Sequence, residues 1–275
     1  MTLRFGTSGI PRSSVRPGTE PGIRRAGELG LDCLEMAWVN GVRMGERTAE
    51  RIGQAARETG LELTAHAPYY INLNGSAAVA ERSSRRLLET GRLAARCGAL
   101  SFCFHAGYYL EREATEARRR VRDRLAAAAQ TLRGEGIAVD IRPELTGRTS
   151  QLGTLDEILG WCGEIEGVRP CIDFSHQYAR HQGEFNGYEA FVAILERVRA
   201  RLGRESLERL HVHVSGIEYG PRGERRHVPL ARSKFRYREL LRALKDARVS
   251  GWVVCESPAM EDDALKLQRA YRRLS

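Results

Sequence analysis

The amino-acid sequence predicts an α/β fold, a single-domain (β/α)8 TIM barrel that covers residues 1–275. Eight short apolar segments alternate with segments of helical periodicity, which implies a parallel sheet, and eight strands close such a sheet into a barrel. The length of 275 residues also suits this fold, which takes roughly 250 residues. No low-complexity linker or change of composition marks a second domain.

The predicted strands are short apolar runs between the helical patterns. In order they are residues 3–9, 31–38, 61–68, 99–107, 137–145, 168–176, 207–216 and 251–258. Several predicted helices end in a glycine just before the next strand, as a helix C-cap does. These helices cover residues 46–60, 80–98, 113–136, 154–164, 186–203, 235–251 and 261–274. Residues 7–22 and 215–234 are predicted to be long loops, which usually shape the substrate site of a barrel.

Composition narrows the class of protein. Hydrophobic residues make up 42% of the chain, no run of about 18 apolar residues occurs, and the first residues lack the pattern of a secretory signal. We therefore expect a cytoplasmic protein with no membrane segment. The net charge of +9 and the pI near 9.6 favour an anionic partner, nucleic acid first. This charge is almost all arginine, a bias that genome composition alone can produce, and the arginines of residues 118–124 fit a solvated helix face.

Several other kinds of site are not indicated. The six cysteines are scattered without a CxxC pair, so we expect buried thiols in a reducing compartment. The chain has no GxSxG nucleophile elbow, and the glycines of residues 5–9 do not follow the order of a nucleotide-binding loop.

Histidines and acidic residues recur at the ends of the predicted strands or in the loops behind them. They are His66, His105, Glu144, Asp173, His176, His211, His213, His227 and Glu256. A lone histidine in a strand is usually a buried polar group, but the carboxyl ends of barrel strands meet at one mouth, where active sites lie. Imidazole and carboxylate together suit zinc, manganese or iron, and this many ligands suggest more than one ion.

The segments HAPYYINL, FHAG, PELTG, CIDFSH, GERRH and CESP, in this order and spacing, resemble the signature blocks of the endonuclease IV family of apurinic/apyrimidinic endonucleases. The resemblance covers about residues 61–260, and FGTSGIP is similar to archaeal-type members. It implies a DNA-repair hydrolase that cleaves double-stranded DNA on the 5′ side of an abasic site with a metal-activated hydroxide and up to three zinc ions. The sequence indicates no obligate protein partner.

The resemblance also implies a role for each residue. His66 and His105 would hold the first ion, Glu144 would bridge the first and second ions and orient the nucleophile, and Asp173, His213 and Glu256 would complete the second. His176 and His227 would hold the third. The family has an acidic ligand two residues before the last histidine, where this chain has Arg225, so Glu224 is the nearest replacement and manganese could take the place of zinc.

Two further assignments concern neighbouring pairs of residues. His211 and His213 lie on the same face of one predicted strand, and we expect His213, nearer the strand end, to be the ligand. Tyr69 and Tyr70 lie on a loop that resembles the DNA-penetrating loop of the family, where they would fill the gap at the lesion or else pack against neighbouring loops.

Two other functions remain open at this point. Sugar isomerases and epimerases of the xylose-isomerase-like barrels use a Glu, Asp, His and Glu set, which Glu144, Asp173, His213 and Glu256 also supply. The additional histidines and the basic charge favour the DNA hydrolase over this alternative. The replacement at Arg225 also leaves room for a non-catalytic nucleic-acid binder, which metal content would reveal.

Overall fold

The computed structural model describes residues 2–39, 41–42 and 44–274, and it confirms the predicted (β/α)8 barrel. The barrel strands are β1 (Leu3–Ser8), β2 (Cys33–Ala37), β3 (Glu62–His66), β4 (Ser101–Phe104), β5 (Asp140–Pro143), β6 (Cys171–Asp173), β7 (Leu210–Val214) and β10 (Gly251–Cys255). A separate hairpin is formed by β8 (Gly216–Gly220) and β9 (Gly223–Val228).

Helices surround the barrel. They are α1 (Thr19–Glu28), α2 (Glu46–Thr59), α3 (Ala77–Arg96), α4 (Ala114–Gly134), α5 (Leu155–Glu164), α6 (Phe174–Arg180), α7 (Tyr188–Leu202), α8 (Tyr237–Asp246) and α9 (Glu261–Arg272). No helix in the described ranges is both long and apolar enough to cross a membrane.

The eight parallel strands follow one another around the barrel in the order β5-β4-β3-β2-β1-β10-β7-β6. The first and last of these meet through parallel bridges that pair Ile141 with Val168 and Glu144 with Cys171. The amide of Leu145 donates to the carbonyl oxygen of Cys171 at 3.0 Å, which completes the ring. The carboxyl ends of all eight strands therefore surround one mouth.

Apolar side chains fill the space between the strands and the helices, whereas the barrel interior holds both apolar and polar side chains. Because side chains alternate along a strand, a residue two positions before a mouth residue also points inward. Thr64, Cys103, Cys171 and His211 hold such positions, and all four are buried. Five of the six cysteines are buried and none forms a disulfide, as their spacing predicts.

A buried arginine lies at the end of the barrel opposite the mouth. Arg142 donates to the carbonyl oxygens of Pro170 and Arg209 and to the carboxylate of Asp140, each at 3.0 Å. Its guanidinium stands 5.4 Å from the ring centroid of Trp252. These contacts join the amino-terminal ends of four strands around one side chain.

The structure corrects three predicted segments. Residues 7–22 contain the start of helix α1, and residues 215–234 contain the β8–β9 hairpin, so neither is simply a loop. The strand predicted over 168–176 ends at Asp173, and helix α6 begins at the next residue. The side chain of Asp173 caps this helix by accepting from the amide of His176 at 2.7 Å, and the strand therefore passes into the helix without a loop that the sequence would reveal.

Candidate metal centre

All the predicted ligand residues lie at the mouth of the barrel. His66 and Asp173 are the last residues of β3 and β6, and His213 is the last residue but one of β7. His105, Glu144 and Glu256 stand one residue beyond β4, β5 and β10, His176 is in the first turn of α6, and Glu224 and His227 lie on β9. Helix α6, which follows β6, and the β8–β9 hairpin, which follows β7, thus place their residues over the mouth.

Glu144 is fully buried at the middle of this group. Its Oε2 atom lies 3.1 Å from Nε2 of His66 and 3.3 Å from Nε2 of His105, whereas Oε1 lies 3.2 Å from Nδ1 of His213. Burial alone would raise the pKa of Glu144, but His105 and His213 hold that pKa well below its usual range. One ionised carboxylate therefore faces two separate sets of imidazoles.

The ligand atoms of Glu144, Asp173, His213 and Glu256 lie within 4.8 Å of one another. Oδ1 of Asp173 is used by the helix cap, whereas Oδ2 is buried, accepts no hydrogen bond and lies 3.2 Å from Nδ1 of His176. Burial raises the pKa of Asp173, and a cation at Oδ2 would stabilise the ionised carboxylate. These observations fit a metal ion held by three carboxylates and one imidazole.

Three imidazoles are oriented by backbone carbonyl groups. Nδ1 of His66 donates to the carbonyl oxygen of Ala67 at 2.7 Å, and Nδ1 of His176 donates to that of Leu145 at 3.0 Å. Nδ1 of His227 donates to the carbonyl oxygen of Glu256 at 3.3 Å. A carbonyl oxygen only accepts, so Nδ1 carries a proton, and Nε2, which points into the mouth, is the nitrogen available to bind a metal. Metal-binding histidines are commonly fixed in this way.

His176, His227 and Glu224 form a third group beside the first two. Nε2 of His176 lies 3.2 Å from Nε2 of His227, and the carboxylate oxygens of Glu224 lie 3.6 Å and 3.8 Å from these two nitrogens. His176 is almost fully buried, whereas His227 and Glu224 are partly exposed.

A β-bulge places Glu224 in the third group. In the β8–β9 hairpin Glu218 pairs with Arg226 and Tyr219 pairs with Glu224, so Arg225 is an extra residue between the two pairs. The extra residue reverses the alternation of side chains, and Glu224 comes to the same face as His227. The bulge, rather than the greater length of a glutamate side chain, brings the carboxylate to the imidazoles.

The loop after Glu144 fits closely against the hairpin. The amide of Glu224 donates to the carbonyl oxygen of Gly147 at 2.9 Å. A Cβ atom on Gly147 would lie 2.7 Å from Cβ of Glu224 and 2.8 Å from Cδ2 of His176, so this contact requires glycine. The buried Arg180 holds the same loop through the carbonyl oxygens of Thr146 and Gln151, at 3.3 Å and 3.1 Å.

Comparison with known proteins shows the family of this chain. Residues 23–274 match the xylose isomerase-like TIM barrel family. The chain belongs to this family. It is 42% identical over 273 residues to an uncharacterized protein of Methanocaldococcus jannaschii, and the alignment covers 99% of this chain and 98% of that protein.

Solved structures of other proteins share the fold. Endonuclease IV from Thermus thermophilus superposes with a TM-score of 0.75 at 21% identity, over 98% of this chain and 97% of its own. A D-tagatose 3-epimerase-like protein gives a TM-score of 0.74 at 16% identity, over 99% and 96% of the two chains. At these identities the likeness concerns the fold, so the choice between reactions depends on the residues of the mouth.

One buried residue of this xylose isomerase-like barrel, Glu35, is missing from the sequence-based assignment. Its Oε2 atom lies 3.1 Å from Nε2 of His211 and 3.3 Å from Nε2 of His213, and Oε1 accepts from Ser8 at 3.0 Å. Burial would raise the pKa of Glu35, but His213 and His211 lower it well below the usual range. The signal in the sequence is the acidic residue in the middle of the apolar run CLEMAW, residues 33–38.

The same contacts show that the two histidines of β7 have different surroundings. Nδ1 of His213 faces Glu144 and also lies 3.5 Å from Oε2 of Glu256, whereas Nε2 of His211 faces Glu35 below the mouth. Burial lowers the pKa of His211 to about 4, so this imidazole is neutral at physiological pH. The geometry thus places His213 among the mouth carboxylates and His211 behind it.

The rim of the mouth has two different halves. Exposed large apolar or aromatic side chains lie on the loops after β1, β2, β3 and β4: Val15, Val39, Tyr69, Tyr70 and Leu110. Exposed arginines lie on the opposite half, in the loop after β5 and on or just after the hairpin: Arg148, Arg222, Arg225, Arg226 and Arg232. The rings of Tyr69 and Tyr70 pack edge to face at 5.6 Å.

Proposed function

We propose that this barrel is a metal-dependent phosphodiesterase of DNA base-excision repair, which hydrolyses the bond on the 5′ side of an abasic site. The two-sided environment of Glu144 carries the proposal. One oxygen faces His66 and His105, the other faces His213, and the His176, His227 and Glu224 group lies alongside. Three neighbouring groups of nitrogen and oxygen donors suit a cluster of up to three zinc ions, with manganese as an alternative in the carboxylate-containing third group.

When bound, such ions would activate a water molecule near neutral pH and neutralise the phosphate oxygens and the departing 3′ oxygen. The first ion would be held by His66, His105 and Glu144, and the second by Glu144, Asp173, His213 and Glu256. The third would be held by His176, Glu224 and His227. Glu144, which is ionised and buried, accepts a hydrogen bond from the attacking water and orients it toward phosphorus, which makes it the catalytic residue.

The rim supports double-stranded DNA as the substrate. Its arginine half offers cations to the phosphate backbone, and Arg222, Arg225 and Arg232 form no ion pair within the described residues. Its aromatic half presents Tyr69 and Tyr70, which are 56% and 40% exposed, and such side chains can fill the gap in a duplex. A nucleotide without a base lacks stacking, so rotating it into the deep mouth costs less than for an intact nucleotide.

Incision of a duplex oligonucleotide with one tetrahydrofuran abasic analogue tests the proposal. The wild-type protein should cut on the 5′ side of the analogue, EDTA should abolish the cut, and added zinc should restore it. Glu144→Gln should remove the activity and lower the metal content, because it replaces the carboxylate shared by two donor groups. A fully metallated protein that leaves this DNA intact would overturn the proposal.

Sugar epimerisation is the second candidate, and one observation favours it. Glu144, Asp173, His213 and Glu256 by themselves make a complete four-ligand group for a single ion. A 3-keto-D-glucoside 4-epimerase from E. coli also shares the fold, with a TM-score of 0.72 at 18% identity. A metallated protein that converts ketoses and spares the abasic duplex would establish this reading. A protein that binds DNA without metal would instead indicate a non-catalytic binder.

A further inference from the structure

His213 differs from the neighbouring imidazoles in how it is oriented. His66, His176 and His227 donate to backbone carbonyl oxygens, which no side-chain substitution removes. His213 instead directs Nε2 at the carboxylate of Glu35, 3.3 Å away, and Nδ1 at Glu144 and Glu256. The orientation of this ring therefore depends on another side chain.

We propose that Glu35 is a positioning residue for the metal centre, which fixes the protonation and direction of the His213 ring. As a hydrogen-bond acceptor 3.3 Å away, Glu35 holds a proton on Nε2 of His213, so Nδ1, which faces Glu144 and Glu256, is the nitrogen that would bind the second ion. This inference rests on the metal centre of the proposed function and is independent of the DNA substrate.

Glu35 is itself held on several sides. Ser8 donates to Oε1 at 3.0 Å, and Thr64 and His211 lie 3.2 Å and 3.1 Å from Oε2. These residues come from β1, β3 and β7, while Glu35 comes from β2. The carboxylate is fully buried and cannot turn toward solvent, so its geometry is fixed before any ion arrives.

The neutral isostere shows what the charge contributes. His211 and His213 both contact Oε2, so in Glu35→Gln the amide oxygen takes that place while the NH2 group faces Ser8. This oxygen carries no charge and is a weaker acceptor than a carboxylate, so it holds the proton on Nε2 of His213 less firmly. Removing an outer partner of a metal-binding histidine typically weakens metal affinity by roughly 10- to 100-fold.

A different use of the same residues would contradict the inference. Sγ of Cys103 and Sγ of Cys171 lie within 4.8 Å of a ring nitrogen of His211 and of His213, and Sγ of Cys103 is 3.3 Å from Oε2 of Glu35. If an ion were bound among these buried atoms, Glu35 and Nε2 of His213 would be its ligands, and Glu35 would not act by positioning the ring.

Metal binding tests the inference without reference to catalysis. The wild-type protein, Glu35→Gln and the matched control Ser8→Ala are loaded with zinc, and bound zinc is titrated away with a chromophoric chelator. We expect Glu35→Gln to lose one ion at roughly 10- to 100-fold lower chelator concentration. Ser8→Ala, which removes only a contact to Oε1, should retain the wild-type profile. Glu35→Asp keeps the charge but withdraws it by one methylene, and it should fall between the two, which keeps the test usable if Glu35→Gln does not fold.

The outcomes distinguish the two proposals. Identical profiles for wild-type and Glu35→Gln would overturn the positioning role and leave the proposed function standing, whereas a wild-type protein that binds no zinc would remove the metal centre itself. Cobalt(II)-substituted protein gives the second check. A thiolate charge-transfer band that disappears in Cys103→Ala would show an inner ion and overturn the inference, and its absence supports Glu35 as a partner of His213.

Discussion

The contact between Gly147 and the hairpin predicts the effect of a single methyl group. In Gly147→Ala the new Cβ atom would lie 2.7 Å from Cβ of Glu224 and 2.8 Å from Cδ2 of His176, about 0.6–0.7 Å short of ordinary van der Waals contact. The neighbours must move by about that distance, which exceeds the roughly 0.5 Å tolerance of a functional site. Overpacking of this kind costs about 1–3 kcal/mol, on the order of 2–5 °C in Tm.

Metal content by mass spectrometry and thermal unfolding would measure both effects. We expect Gly147→Ala to lose the ion of the His176, His227 and Glu224 group and to unfold at lower temperature. Gly134→Ala is the matched control, because its Cβ atom meets nothing within 4 Å at the end of α4 and should leave metal content unchanged. A Gly147→Ala protein with the full metal content and an unchanged Tm would refute the packing argument.

Three further predictions concern protons, salt and stacking. The partners of buried His66, Glu144 first, raise its pKa to about 10 against the effect of burial, so it is protonated at pH 7 and zinc binding should release this proton. Calorimetry in two buffers of different ionisation enthalpy would detect the release, and affinity should rise with pH up to about 10. Arg222→Ala should weaken binding to all duplexes and reduce the salt slope by about 1 if Arg222 contacts a phosphate. Tyr70→Ala should weaken binding to the abasic duplex by about 1–3 kcal/mol with little change in Tm, and equal loss on intact DNA would argue against a role at the lesion.

The sequence predicted the barrel because each strand is a compact apolar run and each helix has its own periodicity. It also indicated the mouth residues, since a ligand at the end of a strand interrupts that run. His176 was placed in a strand because Asp173 caps helix α6 directly, without turn residues between them.

Long-range features were beyond the sequence pattern. Glu224 was proposed as a ligand on its nearness to Arg225, but the reason for its position is the register of the β8–β9 hairpin, which a single strand does not reveal. Glu35 was overlooked because it lies inside its strand rather than at the end. Its partners His211 and His213 are far away in the chain and become neighbours only when the barrel closes.

Arg142 closes the end of the barrel opposite the mouth, so the mouth is a cavity with one opening. An ion bound at Glu144, which is fully buried, would lie deeper than one bound at Glu224 and His227, whose side chains are 14% and 23% exposed. For the proposed ions we therefore expect depth to set the order of exchange, with the outer ion released to a chelator before the inner ones. A duplex bound across the rim would block this opening. The rate at which a chelator removes the inner ions would then measure how completely the substrate covers the mouth.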